Sequence, residues 1–383
     1  MKKYIIILLA FILFACEGNH NYSSLDDCPV VAYKDENGVI VCDIASVKDT
    51  INMPLSTFCS DVEIIRLENS DDAIVGDGPV WFSKNYIGIY SYSVGAYKLY
   101  DRSGKFLCDI TKQGQGPNEF LFGILDSYID ETEGKIYILS YRASKIMVFD
   151  MQGNPLEPIP LPFIVPKGQM KINLQERTLI MLALPFDDTP YAVWKQDFSG
   201  KIIQSIPAGQ FVISPSDYSN EVCSNSNGNA IDYYIINTVP KVDSLYHYDE
   251  TNNTLVPKFT VNYPNEVKDH GYAELPGYYI LGQNLFRRDP TLPTRNIFID
   301  KKTLKGAYVR YQLDMLGNID GDYCVGFRNG YALANLHPST LKEKIEKAFE
   351  TENLSEKMQK KLTELNSSID DNDNNIVMIS KLK

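Results

Sequence analysis

Histidine is scarce in this chain: four residues in 383, His20, His247, His270 and His337, far apart in the sequence. There is no HExxH pair, no GxSxG elbow and no P-loop, so no local motif assigns hydrolase or nucleotide chemistry. The seven cysteines are irregularly spaced and contain no CxxC, the spacing that zinc sites favour. Basic charge is also in deficit. Lys and Arg total 37 against 49 Asp and Glu, a net charge of −12. The basic footprint needed to bind a phosphate backbone is missing, so nucleic acid is not expected as a partner, and polyanionic glycans are disfavoured. No cofactor or metal is called for. Asp371, Asp373 and Asn375 alternate as calcium ligands do, but Ile376 stands where the loop needs Gly, so they read as a turn.

What is present is a β-rich composition: 44% hydrophobic residues, with 25 Tyr and 17 Phe. Aromatic residues suit pleated, half-buried strands. The N-terminus stands apart from this. Met1-Lys2-Lys3 is a basic start and residues 4–14 form an apolar run too short to span a bilayer comfortably. The run ends at Leu13-Phe14-Ala15-Cys16, which resembles a bacterial lipobox, with Phe14 bulkier than usual. Residues 1–16 are therefore read as a lipoprotein signal with Cys16 as the lipidated residue, and 17–29 as a polar tether. An exported compartment permits disulfides, and Cys28 and Cys42, flanking a hairpin-like piece turned at Asp35–Gly38, could pair. Cys108 and Cys324 lie in strand-like runs and read as buried apolar residues.

From residue 30 onward a unit repeats. An apolar strand closed by Asp recurs at Asp101, Asp150, Asp197, Asp249 and Asp300, at intervals of about 50 residues. The first three of these turns carry Gly three positions later, at Gly104, Gly153 and Gly200. Asp suits the turn because its carboxylate accepts N–H groups two residues on. Apolar runs before and after each Asp supply a second and a fourth strand, and weaker runs supply inner strands everywhere except in the fifth repeat. About four strands per repeat of this length is the pattern of a β-propeller.

A sixth blade completes the ring. Residues 330–336 and 375–380 read as its second and third strands, and residues 62–67 supply the fourth. An N-terminal strand in the last blade removes open sheet edges. Between them, about 339–366 reads as an inserted helical hairpin. Thr340 with Glu343 and Asn353 with Glu356 have capping-box spacing. Leu341, Ile345 and Phe349 mark one apolar face, and Leu354, Met358, Leu362 and Leu365 the other. The expected fold is all-β: one six-bladed propeller over residues 30–383, as a monomer.

The sharpest motif is the loop Gln113-Gly114-Gln115-Gly116-Pro117-Asn118-Glu119-Phe120. Strands on both sides make it a crossover between blades rather than a phosphate loop, which needs a following helix. Phe120 is expected to plug between blades and Glu119 to accept backbone N–H groups. With Tyr100–Phe106 before it, this segment resembles the six-bladed propeller lipoproteins of Gram-negative bacteria, NHL- and TolB-like in blade pattern. The resemblance implies the fold, export and lipidation at the outer membrane. It implies no settled activity.

The loops joining second and third strands share an end of the ring with that crossover, and they form the natural rim of a central pocket. Tyr92, Tyr141, Arg142, Asp187, Arg287 and Arg288 lie there. Aromatic faces beside Arg and Asp suit a sugar or a peptide. The sequence thus points to a lipid-anchored binding module for a glycan, a peptide or an envelope protein. The alternative is a propeller lyase or hydrolase in the central channel, since a site built from one residue per blade leaves no motif.

Overall fold

A computed structural model of the chain describes residues 24–228, 230–285, 295–321 and 326–383. Six antiparallel four-stranded blades form the molecule, each starting with its innermost strand. In this order blade 1 holds Val80–Phe82, Tyr86–Ser91, Ala96–Asp101 and Phe106–Lys112. Blade 2 holds Ile124–Asp130, Lys135–Ser140, Ala143–Asp150 and Pro155–Val165. Blade 3 holds Gly168–Asn173, Thr178–Ala183, Tyr191–Asp197 and Ile202–Pro207. Blade 4 holds Glu221–Cys223, Ile231–Ile236, Ser244–Asp249 and Thr254–Asn262. Blade 5 holds His270–Glu274, Tyr278–Gln283, Arg295–Asp300 and Gly306–Leu313, and its inner strand is the one the sequence hid.

Each repeated Asp makes the turn expected of it. The Oδ1 of Asp101 accepts the N–H groups of Ser103 and Lys105, that of Asp150 those of Gln152 and Asn154, and that of Asp197 those of Ser199 and Lys201. In blades 4 and 5 the left-handed residue is displaced by one position, to Asn253 (φ 50°) and Leu304 (φ 61°). The second and third strands are sandwiched between neighbouring blades, so Thr178–Ala183 is buried at every position. Burial on both faces explains why these strands read as continuous apolar runs instead of alternating ones.

Blade 6 joins the two ends of the chain. Gly326–Arg328, Tyr331–Leu336 and Ile376–Leu382 are completed by Cys59–Arg66. Ile376 pairs with Arg66, Val377 with Ile65 and Ile379 with Glu63, so the expected closing strand is in place and in register. The chain before it has a role the sequence did not reveal. The hairpin of Ala32–Lys34 and Ile40–Asp43 adds to the outside of blade 4, with Ile40–Asp43 parallel to Thr254–Asn262. Thr50–Pro54 runs parallel to Gly306–Leu313 on the outside of blade 5. Leu25 and Cys28 are already buried in the core beside blades 5 and 6, so packing begins ahead of residue 30. Cys28 and Cys42 are both free thiols, as are Cys59, Cys108 and Cys223. Cys28 and Cys42 lie in two different core clusters. Cys108 is half-buried, and Cys324 is outside the described residues.

The helical insertion is present as α1, Pro338–Thr351, and α2, Glu356–Ser367. Its caps differ from the capping boxes read in sequence. His337 caps α1 without a side-chain bond to the backbone, its Nδ1 standing 2.8 Å from Ser339 Oγ, and Pro338 fills the first helical position. Ser355, not Asn353, caps α2 by accepting the N–H of Met358. Leu341, Ile345, Ala348 and Leu362 are buried, whereas Phe349 is 39% exposed and does not join the packed face. Asp373 closes a turn by accepting the N–H of Asp370. No helix among the described residues is long and apolar enough to cross a membrane.

Candidate functional site

The inner strands surround a central channel with a cavity at each end. In this connectivity the crossovers between blades and the loops between second and third strands share one end. The other end carries the Asp turns and the links between first and second strands.

At the crossover end the motif loop folds on itself. Gly114 N–H donates to the Phe120 carbonyl at 3.0 Å, and Gly116 N–H to Glu119 Oε2 at 2.9 Å. A Cβ on Gly114 would fall 1.9 Å from that carboxylate, so a side chain there would displace the Glu119 lock. The Pro117 carbonyl accepts Lys145 Nζ at 2.9 Å and ties the loop to blade 2. Phe120 is buried, edge-on to Tyr90 with centroids 5.3 Å apart. The loop therefore sets the spacing between blades 1 and 2 and delivers the exposed Phe122 to the channel mouth.

The cavity behind that mouth is about 610 Å³. Tyr92 and Tyr141 line it together with Tyr90, Phe122 and Phe327, while Glu221, Asn225, Arg328 and Asn335 supply polar groups. Tyr92 and Phe122 are 64% and 65% exposed, so two large aromatic side chains stand open to solvent at the pocket edge. Burial, reinforced by Glu221, pushes the Tyr141 phenol up to about 12. The Tyr92 phenol is raised as well, by partial loss of hydration against the pocket edge and then by the nearby Tyr141 and Glu221. Both phenols thus stay protonated donors at neutral pH. Burial raises the Glu221 carboxyl too, against the opposing pull of Lys167. Lys167 is buried, ion-paired with Glu221, donates to the Asn220 carbonyl at 2.9 Å and sits 5.2 Å from the Tyr141 ring centre. This contact orients the ring.

The remaining rim candidates divide. Arg142 is exposed in a left-handed conformation (φ 52°), and Asp187 is exposed beside the buried Phe186; neither lines the cavity. Arg142 occupies the two-residue turn between Lys135–Ser140 and Ala143–Asp150 and is left exposed there. Arg287, Arg288 and Cys16 lie outside the described residues. Phe122, Glu221 and Asn335 were missed in sequence: Phe122 stands two residues ahead of a strand, Glu221 at a strand start and Asn335 next to a strand end, with no local motif. Among the described residues no group of three or more His, Cys, Asp or Glu could hold a metal ion.

The opposite cavity is about 660 Å³. It is built around Asp126, which is 5% exposed. Trp81 Nε1 and the Ser127 N–H donate to its Oδ1 at 3.0 and 2.9 Å, and the Met170 N–H to its Oδ2 at 3.0 Å. Arg328 Nη2 stands 3.4 Å from Oδ1 and its guanidinium lies over Trp81 at 5.6 Å.

The family model described as Domain of unknown function (DUF4934) matches residues 39–381. No curated protein matches the chain. Among solved structures, a protein from Bacteroides fragilis NCTC 9343 described as exported superposes with a TM-score of 0.57. Its identity is 14%, and the match covers 84% of this chain and 95% of that one. A streptogramin B lyase gives a TM-score of 0.41 at 12% identity, over 64% and 72% of the two chains. A Bacteroides caccae protein of unknown function gives 0.36 at 13%, over 58% and 78%. At these identities the likeness to the Bacteroides fragilis protein speaks for the fold alone.

Proposed function

The chain belongs to the family described as Domain of unknown function (DUF4934), and from that premise we propose that it is an exported, lipid-anchored binding module. The ligand enters at the crossover mouth. The observation that carries this reading is the pair of exposed aromatic side chains, Tyr92 and Phe122, standing with Tyr141 over a cavity with Asn, Glu and Arg at its wall. Flat apolar faces above directional polar groups suit a sugar ring, so a glycan is the favoured ligand class ahead of a peptide or an envelope protein.

A glycan array with the purified protein tests the reading, followed by calorimetry on any hit. Tyr92→Ala and Tyr141→Ala should each weaken the bound glycan about tenfold or more, while the exposed Asp187→Ala should leave it unchanged. Retained affinity in both Tyr variants would move the site elsewhere. Anchoring rests on the basic and apolar N-terminus and on Cys16; a structural neighbour described as exported is in keeping with it. Cys16→Ala should release the protein from membranes into the soluble fraction, and unchanged membrane attachment would refute lipidation.

A further inference from the structure

The cavity at the Asp-turn end has an electrostatic character opposite to that of the whole protein. The chain carries −12 net, yet the titratable residues lining this mouth are Lys84, Arg102, Lys171 and Arg328 against the single carboxylate of Asp126, apart from tyrosines. Arg102 is ion-paired with Glu63 at the lip. Asp126 is held by donors from three blades, Trp81, Met170 and Arg328, so its charge is already shared.

Lys84 is exposed at the lip, which leaves Lys171 as the half-buried cation without a match. It sits on the inner strand of blade 3, across the ring from Arg328 on the inner strand of blade 6, and both line the same cavity. Among the described residues Lys171 has no hydrogen-bond or ion-pair partner, whereas Lys98, Lys135, Lys167, Lys195 and Lys301 each have a carboxylate within 3 Å. It borders the cavity, so part of its surface is open. It is enclosed enough that loss of hydration, helped by Arg328, lowers its ammonium pKa against the pull of the Asp126 and Asp232 carboxylates, neither of which reaches it. An enclosed ammonium without an acceptor is costly, and an anion entering the cavity would relieve that cost.

We infer that this second mouth binds the carboxylate of a small organic acid between Lys171 and Arg328. Arg328 supplies a planar donor fork and Lys171 a point charge. The wall beside them is apolar or aromatic, with Phe82, Tyr128, Ile172 and Tyr331, and accepts the body of a ring-bearing acid. Converging positive charge in a low-dielectric channel concentrates anions against the overall negative field. The site lies towards the end of the channel opposite the aromatic rim; Arg328 borders both cavities, whereas Lys171 lines this one and not the other.

The test titrates the full chain with benzoate and with glucuronate, each beside its neutral counterpart, benzyl alcohol or glucose. Calorimetry and the fluorescence of Trp81, which touches both Asp126 and Arg328, report binding. At least one acid should bind saturably where its neutral counterpart does not, and which acid does so separates an aromatic from a sugar source. Lys171→Gln should weaken that binding by about tenfold or more, the ratio expected for a lost charge-assisted contact, and Lys171→Arg should retain it. Tyr92→Ala at the far rim should leave it unchanged. Thermal melting of both Lys171 variants separates loss of binding from loss of fold. The inference is overturned if neither acid exceeds its neutral counterpart, or if Lys171→Gln binds as the parent does.

Discussion

Arg328 Nη2 and Asp126 Oδ1 meet 3.4 Å apart across the channel, although their strands belong to blades 6 and 2, with all of blade 1 between them. Asp126 is the hub of that meeting. Its two oxygens receive Trp81, Ser127, Met170 and Arg328. Asp126→Ala would strand a buried indole N–H and two backbone N–H groups, and leave Arg328 without its counter-charge. The expected cost is about 3 kcal/mol of unfolding free energy in a denaturant titration. Asp126→Asn, which can still accept from Trp81, should cost less. Equal stabilities of parent and Ala variant would show that the hub is ornamental.

Gly104 should be intolerant of any side chain. It has φ of 90°, and a Cβ there would lie 2.0 Å from the Arg66 carbonyl of the closing strand. The Gly104 carbonyl in turn accepts the Glu68 N–H at 2.8 Å. Gly104→Ala therefore strains the turn and pushes blade 1 off blade 6, at a cost of roughly 2 kcal/mol or more. The equivalent change at Gly134, where the nearest atom is 3.9 Å away, should cost only the backbone term. Comparing the two melting curves separates steric from conformational cost.

The closing strand makes truncation informative. A chain starting at Glu68 loses Cys59–Arg66 and leaves Ile376–Leu382 with a bare edge. It should aggregate, as unpaired strand edges do. A chain starting at Ser24 keeps every described residue and should stay monomeric and fold as the parent does. Size-exclusion chromatography of the two decides it; a monomeric, folded chain starting at Glu68 would mean that the blade closes without its N-terminal strand.

His270 gives the fold a pH dependence. Its Nε2 stands 2.9 Å from Asp243 Oδ1 and its Nδ1 2.7 Å from the Lys268 carbonyl. Burial alone would lower this imidazole. The Asp243 carboxylate, the Lys268 carbonyl and the charge of Asp269 outweigh it, so the pKa is raised above the ordinary 6.5. The Tyr272 hydroxyl also donates to Asp243. With the folded value above the unfolded one, the stabilisation is complete below about 6.5 and is lost as pH rises through the folded value. Tm should therefore fall across that window in the parent and fall less in Asp243→Asn. A single-site NMR titration of His270 gives the pKa directly, and a value at or below 6.5 would remove the effect.

The repeating Asp turns, the apolar second and third strands and the crossover at Gly114–Phe120 were legible in the chain because each is local. A turn needs its own carboxylate, a strand buried on both faces needs an unbroken apolar run, and both leave their mark within ten residues. The closing strand was readable too, since an incomplete last repeat demands a partner. Tyr92 and Tyr141 were reachable from their loops, because loop position follows from strand alternation. Tertiary structure alone decided the rest. Which sheet edges capture Ile40–Asp43 and Thr50–Pro54 depends on edge backbone groups that look alike in every blade. The inner strand His270–Glu274 carries no apolar run of its own, because its buried positions are filled by His270, Gly271 and Tyr272. Asp126, Lys171 and Arg328 come from three blades, each on an ordinary-looking strand, and only ring closure brings their charges into one cavity.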